Sequence, residues 1–382
     1  VRLQSILGVF LVLFLSGVQV HAFETKARAA LVIDYATGTV LLEKNADVSM
    51  PPASMSKLMT LNMVFESLDD GRLTLDEKLP VSKHAMSYGG STMFLNTRDR
   101  VRVEDLIRGV IILSGNDACV VLAEALAGSE PEFARAMTKR AKELGMTQSH
   151  FANANGWPDP GQRMSARDLV FLASRIIRKF PQYYKYFSET EFAFDGRSPA
   201  NRFNRNPLLK LGVGADGLKT GHTKEAGYGV VGSAVRNGRR VVMMISGLKT
   251  SQDRATEAGK IINWAFRQFS QKKALKAGQV VGRAKVWLGT AKTVDVMVKS
   301  DVKLLLPVSV GSKLQASLQM VQPIAAPISK GQKLGVLKIS IPDMRPVDVP
   351  VFAASDVKKA GFVGQLKLSA RVLGRKILDL AN

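Results

Sequence analysis

The chain has 382 residues, 46% hydrophobic and 23% charged, which excludes intrinsic disorder and leaves room for two or three folded domains. Lys and Arg number 54 against 32 Asp and Glu, a net +22, so an anionic surface or polymer is the partner that composition points to. A single cysteine, Cys119, excludes an intramolecular disulfide, and four scattered histidines give no metal-ligand spacing; neither a metal nor a cofactor is expected.

In chain order, residues 1–22 place Arg2 before an apolar run from Ile6 to Leu15 and end on Val20-His21-Ala22. That is the layout of a secretory signal peptide cleaved before Phe23, and the run is short for a membrane span. Export is therefore expected, which makes ATP, NAD and genomic DNA poor partner candidates.

Ala29 to Tyr35 and Thr39 to Glu43 read as strands around an Ala36-Thr37-Gly38 turn, and Ser54 to Leu68 as a helix closed near Gly71. Helical patterns follow. Val103, Leu106, Ile107 and Val110 share a face, Asp117 to Ala127 ends at Gly128, and Ser129 with Glu132 and Ser165 with Asp168 make capping boxes. Gly227 to Val235 and Arg239 to Leu248 flank the hairpin signal Asn237-Gly238, and Gln252 to Phe269 reads as a closing helix. Strands at both ends with helices between them predict an α+β domain over 23–272, an antiparallel sheet whose terminal strands pair around a helical subdomain.

From about residue 275 short alternating runs, such as Thr293 to Val298 and Leu334 to Ile341, predict a small β-sandwich domain over 273–361. Residues 274–382 hold 17 Lys and Arg, 6 Asp and no Glu, a net +11. In 362–382, Phe362, Leu366, Ala370, Leu373, Ile377 and Leu380 fall on one helical face, with Lys367, Arg371 and Arg375 on another. An amphipathic helix of this kind suits the headgroup region of an anionic membrane surface.

With no zinc pattern and no evident His-based triad, a serine activated by lysine is the arrangement to seek. Ser-x-x-Lys alone is common: it occurs at Ser54/Lys57, Ser270/Lys273, Ser300/Lys303 and Ser355/Lys358. Only the first follows an extended Pro51-Pro52-Ala53 entry that sets the serine at a helix start with the lysine one turn on. Ser114-Gly115-Asn116 lies at a break between helices. Lys219-Thr220-Gly221 lies on a predicted edge strand, where a small Gly221 lets an extended peptide lie alongside. Gly212-Val213-Gly214-Ala215-Asp216-Gly217 matches a dinucleotide-binding pattern, but a strand and hairpin follow rather than a helix, so no dipole faces a phosphate. Low aromatic content and the lack of any helix-turn-helix signature argue against nucleic acid.

Pro51 to Lys57, Ser114 to Cys119 and Asp216 to Thr223, in that order, resemble the three active-site motifs of the penicillin-binding serine peptidases. More closely, the chain is similar to the low-molecular-weight D-alanyl-D-alanine carboxypeptidases, from leader to terminal helix. The resemblance implies a transpeptidase/β-lactamase-like fold and removal of the last D-alanine from peptidoglycan stem pentapeptides, with acylation by β-lactams. It implies Ser54 as nucleophile and Lys57 as base. Ser114 and Lys219 would pass a proton to the leaving amine, and Asn116 would hold the substrate amide. The N–H groups of Ser54 and His222 would form the oxyanion hole beside Gly221, and Thr220 with Arg205 would hold the terminal carboxylate, Arg254 being an outer candidate. It implies a periplasmic enzyme on the outer face of the cytoplasmic membrane.

Three other readings stay open: a DD-endopeptidase, a β-lactamase and a non-catalytic envelope-binding protein. A β-lactamase commonly places a Glu on a loop near the site, whereas Phe151 to Gln162 holds Asp159 and no Glu.

Overall fold

The computed structural model describes residues 23–308, 314–342, 344 and 346–361, so the expected leader at 1–22 and the terminal amphipathic helix at 362–382 lie outside the described residues. The elements begin with β1 (Ala29–Asp34), β2 (Val40–Lys44), α1 (Lys57–Asp69), β3 (Lys78–Pro80), α2 (Lys83–Ser87), β4 (Arg100–Arg102) and α3 (Val103–Arg108). α4 (Asn116–Ala127), α5 (Glu130–Glu143), α6 (Ala166–Lys179) and α7 (Pro181–Tyr184) complete the helical part. β5 (Ala215–Thr223), β6 (Gly227–Arg236), β7 (Arg239–Leu248) and α8 (Ser251–Gln268) return to the sheet.

The sheet order is β2-β1-β7-β6-β5 with every neighbour antiparallel, so the first strand pairs with the last, Ala30 opposite Ile245, as the strand pattern predicts. Successive strand residues point to opposite faces, and here both faces are covered. Val241, Met243 and Ile245 pack with Ala258, Ile261 and Ile262 of α8, while Val242 and Met244 join the helical core on the other side. Burying Ile261 and Ile262 contributes about 2 kcal/mol each.

Asp34 and Arg239 form a buried ion pair at 2.7 Å, and the same guanidinium donates to the carbonyls of Ala265 and Phe269, which ties the end of α8 to β1 and β7. α1 is buried nearly all round through its first two turns, between the sheet and α4, α5 and α6. A lysine opening such a helix is held away from water.

The last part is all β: β8 (Phe269–Leu275), β9 (Val280–Trp287), β10 (Thr293–Met297), β11 (Val302–Pro307), β12 (Gln315–Met320), β13 (Ile324–Ala325), β14 (Lys333–Ser340) and β15 (Val347–Ala353). A sheet ordered β12-β14-β15-β10-β9-β13 and a β8/β11 ladder enclose a separate core that includes Val296, Leu304, Ile339 and Val351.

Candidate active site

The three motifs meet. Ser54 is half-buried on a 3-10 turn, Ala53–Ser56, and α1 proper opens at Lys57 rather than at the serine as the sequence pattern predicts. Ala53 explains the difference, because its φ of 48° is left-handed backbone that an α-helix cannot continue. Two glycines let other chain segments grip this turn. A Cβ on Gly221 would stand 2.9 Å from the Pro52 carbonyl oxygen, and one on Gly156 only 2.1 Å from that of Ala53.

Lys57 is wholly buried. Its Nζ lies 2.9 Å from Ser54 Oγ, 2.7 Å from Asn116 Oδ1 and 2.5 Å from the Asn155 carbonyl oxygen. Burial pulls the amine down from its ordinary value to about 8, with Arg205 acting in the same sense and Cys119, Asp117 and Glu130 opposing. A neutral amine has two N–H donors and one lone pair. Asn116 Oδ1 and the Asn155 carbonyl can only accept, so they take the two donors, and the lone pair is left facing the Ser54 hydroxyl.

Ser114 ends a π-helical turn, Gly109–Leu113, in left-handed backbone with φ 61°. The widened turn and the reversal after it bring its hydroxyl toward β5, where Lys219 Nζ donates to Oγ at 3.0 Å and to the Thr220 carbonyl at 3.2 Å. Lys219 is also buried, and desolvation, reinforced by Lys57 and Arg205, carries it well below the ordinary lysine value. Asn116 Oδ1 accepts from Lys57, and its Nδ2 donates to the Gly89 carbonyl at 2.9 Å. Its second N–H remains for a ligand. Cys119 is buried near both lysines, with its thiol pushed up to about 12 by burial, which leaves it protonated.

On the other wall, β5 pairs only with β6 among the described residues, which leaves its outer edge beside Ser54 without a strand neighbour there. Thr220 is buried and His222 exposed; the His222 ring stacks on Tyr228 at 3.8 Å, and the Arg254 guanidinium lies 5.6 Å from the Tyr228 centroid. Arg254 Nε is buried without a hydrogen-bond partner among the described residues. Arg205 is exposed and already donates to Ser91 Oγ and to Asn201 Oδ1. Burial lowers the proton affinity of both guanidiniums, and Arg205 lowers that of Arg254 a little further.

Sequence reasoning weighed the loop from Phe151 to Gln162 only for an acid of its own, and missed that Asn155 reaches Lys57 and which groups hold it there. Asp159, the acid noted in that loop, accepts from the Gly161 N–H and takes no part in the contacts of Lys57. The acid that reaches the loop is Glu130, from the start of α5. Trp157, 44% exposed, stands edge-on to Tyr88 at 5.8 Å at the rim. Among the described residues no three His, Cys, Asp or Glu side chains gather as a metal site, and no helix is long and apolar enough to cross a membrane.

The family model described as D-alanyl-D-alanine carboxypeptidase matches residues 16–250, and that of the penicillin-binding protein 5 C-terminal domain matches 269–359. The chain is 34% identical over 351 residues to D-alanyl-D-alanine carboxypeptidase DacF of Bacillus subtilis, covering 90% of this chain and 88% of that protein. Penicillin binding protein 5 from Haemophilus influenzae superposes with a TM-score of 0.78 at 32% identity, over 88% of this chain and 98% of that one. Penicillin-binding protein D2 from Listeria monocytogenes in its ampicillin-bound form gives 0.58 at 34% identity, over 64% and 98%.

Proposed function

The chain belongs to the D-alanyl-D-alanine carboxypeptidase family and is a serine-type D-Ala-D-Ala carboxypeptidase of peptidoglycan, and from that premise we propose how its own residues divide the work. Ser54 Oγ attacks the carbonyl carbon of the penultimate D-alanine as Lys57 Nζ takes the hydroxyl proton. The observation that carries this is the Lys57 amine 2.9 Å from Ser54 Oγ with its other two contacts on carbonyl-type oxygens. The oxyanion forms against the N–H groups of Ser54 and His222. On collapse, Ser114 gives its proton to the departing D-alanine nitrogen and is re-protonated from Lys219, with which it shares a 3.0 Å hydrogen bond. The proton that Lys57 took from Ser54 replaces the one that Lys219 gave up, and the neutral Lys57 amine then takes a proton from the water that cleaves the ester and returns it to Ser54 Oγ. β-Lactams acylate Ser54 by the same attack.

Purified protein incubated with a stem pentapeptide should release one D-alanine per tetrapeptide formed, and penicillin should add its mass to the peptide carrying Ser54. Ser54→Ala should do neither. A Ser54→Ala protein that still released D-alanine would overturn the assignment.

The terminal carboxylate of the substrate needs a cation. Arg205 is exposed and spends two of its five N–H groups on Ser91 and Asn201, whereas the unpartnered Nε of Arg254 is buried behind Tyr228 and His222. We therefore assign the carboxylate to Arg205 with Thr220, and give Arg254 the outer part of bracing Tyr228 and His222. A hydrogen bond to a charged group is worth about 1.5–3 kcal/mol, so Arg205→Ala should lower kcat/KM for the peptide by about 10- to 100-fold. Arg254→Ala should cost less; the reverse order in steady-state kinetics would exchange the two roles.

The leader expected at 1–22 and the basic amphipathic segment at 362–382 support an enzyme exported to the outer face of the cytoplasmic membrane and held there peripherally. Deleting residues 363–382 should move the protein from the membrane pellet to the soluble fraction with peptide turnover intact. Retention in the pellet would remove this reading of the helix.

A further inference from the structure

Glu130 is 4% exposed and is the first residue of α5. An acid in the first turn of a helix ordinarily faces water near the exposed N–H groups. This one turns inward. Its Oε2 accepts from Tyr88 OH at 2.8 Å and meets His84 Nε2 at 2.8 Å; its Oε1 accepts from the Ala154 N–H at 3.0 Å and from Asn155 Nδ2 at 3.5 Å. The same two loop residues grip α1 through their carbonyls, Asn155 on Lys57 Nζ and Ala154 on Thr60 Oγ1. Gly156, next in the chain, is wedged against Ala53 and Ser56.

A carboxylate offers about four lone-pair sites. All four are taken here by donors, so Glu130 has none left to activate a water, and whatever it does for the reaction passes through the loop. We propose that Glu130 is a positioning residue for acyl transfer: its carboxylate pins the backbone of residues 154 and 155 so that the Asn155 carbonyl stays on Lys57 Nζ and the amine lone pair stays aimed at Ser54 Oγ. His84 and Tyr88 hold the far oxygen and, through the Tyr88 edge on Trp157, brace the same wall at the cleft mouth. This rests on Lys57 being the base, as argued above.

The charged and titratable groups facing Lys57 are Cys119 and Asp117 from α4, Arg205 from the loop before β5, Lys219 on β5, and Glu130. Glu130 favours the ammonium form of Lys57, so neutralising it should move the acid limb of the acylation rate to lower pH. A role confined to stability would leave that limb in place.

The experiment compares Glu130→Ala and Glu130→Gln with the parent enzyme, measuring kcat and KM for D-alanine release, the pH profile of penicillin acylation, and the melting temperature. Misplacement of a reacting group by about 1 Å costs about 100-fold, so Glu130→Ala should lose about 100-fold in kcat with KM within about threefold. Glu130→Gln, which keeps an oxygen for the Ala154 N–H, should recover to about a tenfold loss, and in both variants the acid limb should shift down. If Glu130→Ala does not fold, Glu130→Gln decides. A Glu130→Gln enzyme with kcat within twofold of the parent and an unmoved limb overturns the proposal, as does a loss matched by a fall in melting temperature with the limb unmoved. Failure of the underlying reading looks different: Lys57→Ala would then keep its acylation rate.

Discussion

Replacing Lys57 by alanine should slow acylation of Ser54 by about 10⁴-fold, the upper end of what a positioned general base contributes. The upper end applies because Lys57 Nζ is the side-chain partner that Ser54 Oγ has, and the amine is already lowered to about 8, close to the pH of use. Stability should change little. Alanine leaves Asn116 Oδ1 and the Asn155 carbonyl without their donor, at about 1–3 kcal/mol each, but it also removes a buried amine whose charged form resists desolvation. Lys57→Arg should fail as well, because a guanidinium stays protonated and its planar fork cannot present a lone pair to the serine. Stopped-flow acylation with a fluorescent penicillin, beside a thermal melt, tests this. A folded Lys57→Ala enzyme acylating within tenfold of the parent would exclude Lys57 as the base.

The parts of this site that could be read from the sequence are those whose chemistry coincides with a local structural signal. Pro51-Pro52 announces the turn at Ser54, the break between α3 and α4 turns Ser114 toward Lys219, and the Asn237-Gly238 hairpin after Lys219-Thr220-Gly221 identifies β5 as a strand of the same sheet. The antiparallel sheet closed by β1 and β7 followed from strands at either end of one region. What could not be read depends on contacts between distant segments. Glu130 has the local appearance of a first-turn helix acid beside the Ser129 cap, and nothing near it in sequence shows that its carboxylate meets residues 154 and 155. Arg254 looks like one more cation on a closing helix until Tyr228 carries it against His222. The 3-10 turn at Ser54 was hidden because alanine rarely takes the left-handed backbone that Ala53 adopts.

Two buried amines in one cleft make the pH dependence the sharpest test of which does what. Acylation needs Lys57 in its neutral form, and Lys57 is lowered to about 8, so the rate should climb with pH and level off above that value. Below it, each unit of pH should cost about tenfold, which makes acylation near pH 6 about 100-fold slower than on the plateau. Lys219 is buried 3.0 Å from Ser114 and is lowered from its ordinary value, by desolvation and then by Lys57. Its contribution lies in the proton passed to the leaving amine rather than in activating Ser54. Lys219→Gln keeps a hydrogen-bond donor for Ser114 but no proton to transfer, so D-alanine release should fall by about 10²- to 10³-fold on the plateau, while the acid limb persists and, with a neighbouring cation gone, moves toward higher pH. Rate profiles of the parent and Lys219→Gln enzymes between pH 5 and 10 distinguish the two lysines. If the limb disappears when Lys219 is replaced, the proton acceptor for Ser54 is Lys219, and the assignment of Lys57 falls.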